Sequence, residues 1–134
     1  MAVQMELARV LIRETNDYQI IELREVDGDR TFPIVIGLPE VQAIERRLHG
    51  ITPKRPQTHD LLGQVIQTLG GELKSITITD LAEGTFFATL DVQRNGELLH
   101  LDCRPSDALA LGVAGDVPIF VEEHVLEAAV SEEG

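Results

Sequence analysis

The 134-residue chain has one cysteine, one tyrosine, four phenylalanines and no tryptophan. A lone cysteine excludes an intrachain disulfide. Cys103 falls at an apolar strand position, where a buried, inert thiol is expected. So few aromatic rings leave little on which unpaired bases can stack. Apolar runs are only a few residues long, too short for a membrane-crossing helix or a secretory-signal core, so a cytoplasmic protein with no membrane partner is expected. Also missing are Cys-x-x-Cys, His-Glu-x-x-His, a Gly-x-x-x-x-Gly-Lys loop and a Gly-x-Ser-x-Gly elbow. With one cysteine and four scattered histidines, zinc lacks a ligand set. Carboxylates and water suit Mg²⁺ or Mn²⁺ instead.

Cations are scarce as well: 11 Lys and Arg stand against 23 Asp and Glu, a formal charge of −12. Residues 116–134 hold six acids and no Lys or Arg, with an acidic tail from about residue 122. Residues 46–59 reverse the sign, with Arg46, Arg47, Lys54, Arg55, His49 and His59 and no acid. An acidic chain repels nucleic acid at long range but can still bind it locally through such a segment. A solvated face accounts for Arg46 and Arg47 equally well.

What is present is ordinary for one soluble globular domain, residues 1–134, with 43% hydrophobic and 25% charged residues. Residues 6–14, 18–26 and 30–36 read as strands separated by the turn signals Asn16-Asp17 and Asp27-Gly28, an antiparallel meander. Pro39 then opens a helix with Val41, Ile44 and Leu48 as its apolar stripe, and Gly50 ends it. Residues 72–79, 85–94 and 97–103 repeat the plan, with Asn95-Gly96 as the hairpin turn, and Pro105 opens a second helix closed by Gly112 to Gly115. Between the halves, Leu61, Val65 and Leu69 mark a helix over Thr58–Leu69. A short strand at 118–121 and a short acidic helix at 123–130 finish the chain. The fold class is α+β: two three-stranded antiparallel meanders, each followed by a proline-opened helix, in a pattern that suggests internal duplication and two superposable units.

Chemistry-bearing residues gather at element ends. In Glu97–Cys103, Leu99, Leu101 and Cys103 fall on one face, expected to be buried, and His100, Asp102 and Arg104 on the other. Pro105-Ser106-Asp107 follows, so a polar strand face meets a helix N-terminus: a place to hold an anion or a metal, or simply an exposed face before a capped helix. Thr58-His59-Asp60 starts the middle helix. Thr58 suits the N-cap and Asp60 the helix dipole, but His59 is poorly explained there. Asp80 closes a strand, where it can also initiate a turn.

Taken together, these runs resemble the bifunctional nuclease domain family of bacteria and plants. The matching segments are Pro56-x-Thr58-His59-Asp60-Leu61, Ile78-Thr79-Asp80-Leu81, Gly84-Thr85-Phe86 and Asp102-x-Arg104-Pro105-Ser106-Asp107-Ala108, with Gly37, Glu40, Ala43 and Ile44 around the first helix. The resemblance covers roughly residues 5–130. It implies a nuclease acting on DNA and RNA with little sequence specificity. On that reading His59, Asp60, Asp80, Asp102, Arg104 and Asp107 converge on one site. Asp80, Asp102 and Asp107 hold Mg²⁺ or Mn²⁺, His59 is general base or acid, and Arg104 binds phosphate in a fork. Arg46, Arg47, Lys54, Arg55, Thr58 and Ser106 contact the substrate. The alternative is a scaffold or regulatory interaction domain, in which the same polar groups pair with one another and open strand edges drive homo-oligomerisation, most simply a dimer.

Overall fold

A computed structural model describes residues 1–13, 15 and 17–133. Glu14, in the expected first strand, and Asn16, half of the first turn signal, lie outside the described residues. The chain forms β1 (Ala2–Leu11), β2 (Tyr18–Glu25), β3 (Thr31–Gly37), α1 (Leu38–Leu48), α2 (Thr58–Thr68), β4 (Glu72–Ala82), β5 (Thr85–Arg94), β6 (Glu97–Cys103), α3 (Pro105–Gly112), a 3₁₀ turn at Val113–Gly115, β7 (Ile119–Glu122) and α4 (Glu123–Glu133).

Both meanders are present and antiparallel throughout. They share one seven-stranded mixed sheet in the order β3-β2-β1-β7-β4-β5-β6. The short strand β7 joins them, antiparallel to β1 and parallel to β4. Local chemistry explains the turns. Asn95 (φ 51°) and Gly96 (φ 78°) both take left-handed backbone, as a two-residue type I′ hairpin requires, and Glu83 (φ 53°) and Gly84 (φ 79°) do the same between β4 and β5. Pro39 and Pro105 lie in the first turns of α1 and α3, where the missing N–H costs nothing.

The register places the core on one face of the sheet. Phe32, Ile34 and Ile36 lie opposite Leu23, Ile21 and Gln19, and Ile76, Ile78, Ala88, Leu90 and Val92 continue the layer, all buried. Helix α3, rich in small residues, is almost wholly buried, packed with α1 on one side and β4 and β5 on the other. The sheet is strongly curled. Five strand spacings of about 4.8 Å would hold β3 and β5 roughly 24 Å apart if it were flat, yet the rings of Phe32 and Phe86 lie 5.5 Å apart. The curl carries the β3 edge to the Gly84 turn and the start of α3.

On the opposite face, among the described residues, only Asp91 is buried. Its two carboxylate oxygens accept hydrogen bonds from Ser75 and Thr77 (2.7 Å each), Thr89 (2.8 Å) and His100 Nδ1 (2.8 Å). Burial alone pushes the Asp91 carboxyl upward, but these four donors outweigh it and hold its pKa below the ordinary aspartate value.

The structure corrects three expectations about the core. Leu101 is 44% exposed, and Leu99 and Cys103 are half-buried. They do face the core side, but β6 is the edge strand and lies beyond the cover of the helices. Leu61, Val65 and Leu69 are exposed on α2, as is Leu48 at the end of α1. Periodicity identifies an apolar stripe but not whether anything covers it. His100 and Asp102 lie on the side of the sheet away from the helices, so the polar face of β6 and the N-terminus of α3 do not meet.

Leu109→Ala, at a fully buried position, is expected to destabilise the protein by about 2–5 kcal/mol in urea unfolding, and Leu101→Ala by less than about 1 kcal/mol. Asp91 should also shape the acid limb of stability. Its native pKa lies below the unfolded value of roughly 4, so its contribution is complete above that pH and is lost as the pH falls through the native value. Asp91→Asn should therefore flatten the loss of stability below about pH 4, measured as unfolding midpoint against pH.

Candidate active site

Three helices bring their polar ends together. Arg104 caps α3, and its backbone carbonyl accepts from the N–H groups of Asp107 and Ala108. One turn on, Asp107 receives the Arg104 guanidinium side-on, Nε to Oδ2 and Nη2 to Oδ1 at 2.9 Å each. His59, in the first turn of α2, places Nε2 3.0 Å from Asp107 Oδ1. Glu40, in the first turn of α1, lies 3.9 Å from Arg104 Nη1. Gly37 makes room for it, since a Cβ there would lie 2.2 Å from Glu40 Oε1.

Arg47 ties the group to the scaffold. From α1 it donates to Asp60 on α2 and to the Ala110 carbonyl in α3. The other oxygen of Asp60 accepts the Gln57 N–H at 3.0 Å. Gln57 rather than Thr58 is therefore the N-cap of α2, with Asp60 at the third helical position reaching back in a capping box.

These groups line a cleft of about 580 Å³. Burial raises the Asp107 pKa, but the bonds from Arg104 and His59 and the Arg104 charge more than offset it, keeping the carboxylate ionised well into acid. Arg104 is held charged more firmly than usual by the same pair. An ionised Asp107 accepts a hydrogen bond from the N–H at His59 Nε2, so a neutral His59 carries its lone pair on Nδ1. Nearby, burial followed by the charges of Asp107, Asp102 and Asp91 pushes the Cys103 thiol up to about 11, leaving it protonated and inert as a nucleophile.

A group of cations lies in and next to the segments that line the cleft. Arg46 lines the cleft, and Lys54 and Arg55 are exposed in the loop between the lining residues Pro53 and Pro56. Among the described residues none of the three has an acidic partner, whereas Arg24, Arg30, Arg47 and Arg104 are all paired.

Of the residues expected at the site, the fold gathers His59, Asp60, Arg104 and Asp107, with Thr58, Arg46 and Arg47 around them. Asp80 and Asp102 are elsewhere. Asp80 is exposed at the end of β4, its Oδ1 3.7 Å from His124. Asp102 is exposed on the helix-free face, opposite Thr89. Asp80, Asp102 and Asp107 therefore do not form a common metal site, and among the described residues no three His, Cys, Asp or Glu are placed to hold an ion. Ser106 is buried and lines a second cleft of about 390 Å³, shared with Gly84, Thr85 and Phe86, which meets the first at Glu40 and Arg104. In the sequence, family likeness is what marks Glu40. An acid at the third position after Gly37 in a proline-opened helix was its available signal.

The sequence matches the family described as Bifunctional nuclease domain over residues 21–133. A protein of Mycobacterium tuberculosis, named only as uncharacterized, is 40% identical over 126 residues, 94% of this chain and 75% of that one. Bifunctional nuclease 2 of rice (Oryza sativa subsp. japonica) is 30% identical over 115 residues, 82% of this chain and 35% of its own length. Bifunctional nuclease 1 of the same plant is 25% identical over 122 residues, 87% of this chain and 37% of its own.

Arg47→Met is expected to cost about 1.5–3 kcal/mol, the scale of lost hydrogen bonds to a charged group. Amide exchange should quicken along α2 first, because Arg47 is its main polar tie to the other helices.

Proposed function

The chain belongs to the bifunctional nuclease domain family, and from that premise we propose that the cleft hydrolyses phosphodiester bonds of nucleic acid. The observation that carries the reading is the Asp107–His59 pair beside Arg104, in a cleft lined by Arg46, with Lys54 and Arg55 exposed in the adjoining loop. Unpaired cations in a chain of net charge −12 suit a polyanion, which supplies the missing counter-charge.

The chemistry follows from the side chains. Nδ1 of His59 takes a proton from water as the water oxygen bonds to phosphorus. Asp107 orients the ring and stabilises the imidazolium that forms, as a buried carboxylate does beside a catalytic histidine. The side-on pair with Asp107 leaves the outer N–H groups of Arg104 free for the charge developing on the phosphoryl oxygens. The bond to the departing sugar oxygen breaks, and that oxygen is protonated by solvent. Asp60 and Arg47 position α2 rather than touch the substrate. Asp80, Asp102 and Asp107 do not gather into one ligand set, so no step is routed through an ion held by the three; an ion carried on the substrate's phosphates is one way for a metal to contribute.

The test is cleavage of single- and double-stranded DNA and RNA by the purified protein, with and without EDTA. His59→Ala should lower turnover about 10²–10⁴-fold and Arg104→Ala about 10²–10³-fold, both with unfolding midpoints near wild type. A wild-type protein that cleaves none of these substrates with any divalent ion, or variants that lose folding in parallel with activity, would sink the proposal.

A further inference from the structure

The second cleft, of about 390 Å³, holds groups that the cleavage step does not use. Ser106 lies in the first turn of α3 and is 4% exposed. Among the described residues its hydroxyl has no hydrogen-bond partner, yet it is not sealed off from the cleft it lines. Hydroxyls so deeply buried are normally bonded, and here a bound molecule can supply the bond. Pro105 has no N–H, so the Ser106 N–H is the first donor of the helix. Glu40 stands where the two clefts meet. Its carboxylate is 3.9 Å from Arg104 Nη1, outside hydrogen-bond range, and it accepts no hydrogen bond from any described residue. Apolar lining comes from Pro33 and Val35 on β3 and Phe86 on β5. The Phe86 ring lies 5.5 Å from that of the buried Phe32.

Together these groups describe a nucleoside. A single ring and an apolar wall take one base. Ser106 and Glu40 take sugar hydroxyls, as an acidic side chain does with ribose in dinucleotide-binding folds. The volume is near the lower end of the ~300–1,000 Å³ of small-molecule sites, which suits one nucleoside. Charge identifies which one. Arg104 is the sole cation among the described residues that line this cleft, and it sits on the boundary with the first. One phosphate is therefore accommodated there. A nucleoside inside a strand carries a second phosphate, which would meet the Glu40 carboxylate with no cation to offset it. At a 3′ end that phosphate is replaced by hydroxyl, and in RNA by two adjacent hydroxyls, enough to engage both Glu40 oxygens.

We propose that the second cleft is a subsite for the 3′-terminal ribonucleoside of an RNA strand, with its 5′-phosphate on Arg104, its 2′ and 3′ hydroxyls on Glu40 and Ser106, and its base against Phe86. The inference rests on the nuclease reading for the strand that delivers this nucleoside. It goes further in naming the polymer and the end that enters the cleft.

Calorimetric titration of adenosine 5′-monophosphate into the full-length protein tests the site without turnover, because a phosphomonoester offers no diester bond to cleave. Deoxyadenosine 5′-monophosphate should bind about tenfold more weakly, the scale of one hydrogen bond to a charged group, and adenosine 3′,5′-bisphosphate at least as weakly. Ser106→Ala should weaken binding of adenosine 5′-monophosphate about fivefold. Glu40→Gln should remove most of the discrimination against the bisphosphate. Urea midpoints near wild type show that each variant folds, and substitutions on two different helices keep the test intact if one does not. Inorganic phosphate binding as tightly as adenosine 5′-monophosphate, equal binding of the three nucleotides, or preferences that survive both substitutions overturn the inference. Cleavage is scored separately. The expected preferences in a protein that cleaves nothing sink the nuclease reading alone, whereas cleavage without those preferences sinks only the inference.

Discussion

The guanidinium of Arg47 is where the helical layer is tied together. It projects from α1, holds Asp60 on α2 and donates to the Ala110 carbonyl of α3. Helix α3 is locked by burial, and α1 is anchored through Val41, Ala43 and Ile44. Helix α2 has no such anchor, so its place depends on a charged hydrogen bond, a capping box and thin packing around Gly63 and Ile66. His59 inherits that dependence. Its distance to Asp107 is set by a helix that polar contacts fix more than apolar ones.

Electrostatics in this molecule is a matter of distribution rather than total. An overall charge of −12 describes a protein that repels nucleic acid, yet most of the acids are remote from the cleft, many of them in the last elements of the chain. Within the cleft two of the three acids are hydrogen-bonded, Asp107 by Arg104 and His59 and Asp60 by Arg47 and a backbone N–H, while Glu40 lies 3.9 Å from Arg104. Arg46, Lys54 and Arg55 have no acidic partner among the described residues. A ligand entering there meets local positive charge with the compensating acids turned inward. Binding of that kind is short-ranged and sensitive to salt.

Much of this was legible in the sequence, for identifiable reasons. Asn95-Gly96, Pro39 and Pro105 are backbone constraints, read directly from residue type, and they located the hairpin and both helix starts. The strand β7 was readable as a strand, but its place between the meanders was not, because pairing across a sheet leaves no local signal. That one strand turns two expected units into a single sheet. At the site, His59, Asp60, Arg104 and Asp107 shared the feature of lying in a helix first turn, and the helices converge. Asp80 and Asp102 lie on strands, where a change of one position moves a side chain to the other face, and the faces they took point away. Leu61, Val65 and Leu69 form a genuine stripe that a single chain leaves uncovered. The Asp91 cluster has no local sequence signal, because Ser75, Thr77, Thr89 and His100 come from three strands and meet only through register.

The position of β7 also bears on how the chain reaches this state. Ala2 pairs with Glu122 and Met5 with Ile119, so the contacts that unite the two meanders connect opposite ends of the polypeptide. Each meander is local and can form as soon as its own residues are available. The sheet, in contrast, cannot close until residues 119–122 arrive, and until then β1 and β4 are open edges. Contacts of such long sequence separation slow the rate-limiting step of folding, and the waiting edges are the surfaces most exposed to mispairing with another nascent chain. Four residues near the end of the chain thus set the timing of assembly for everything made before them.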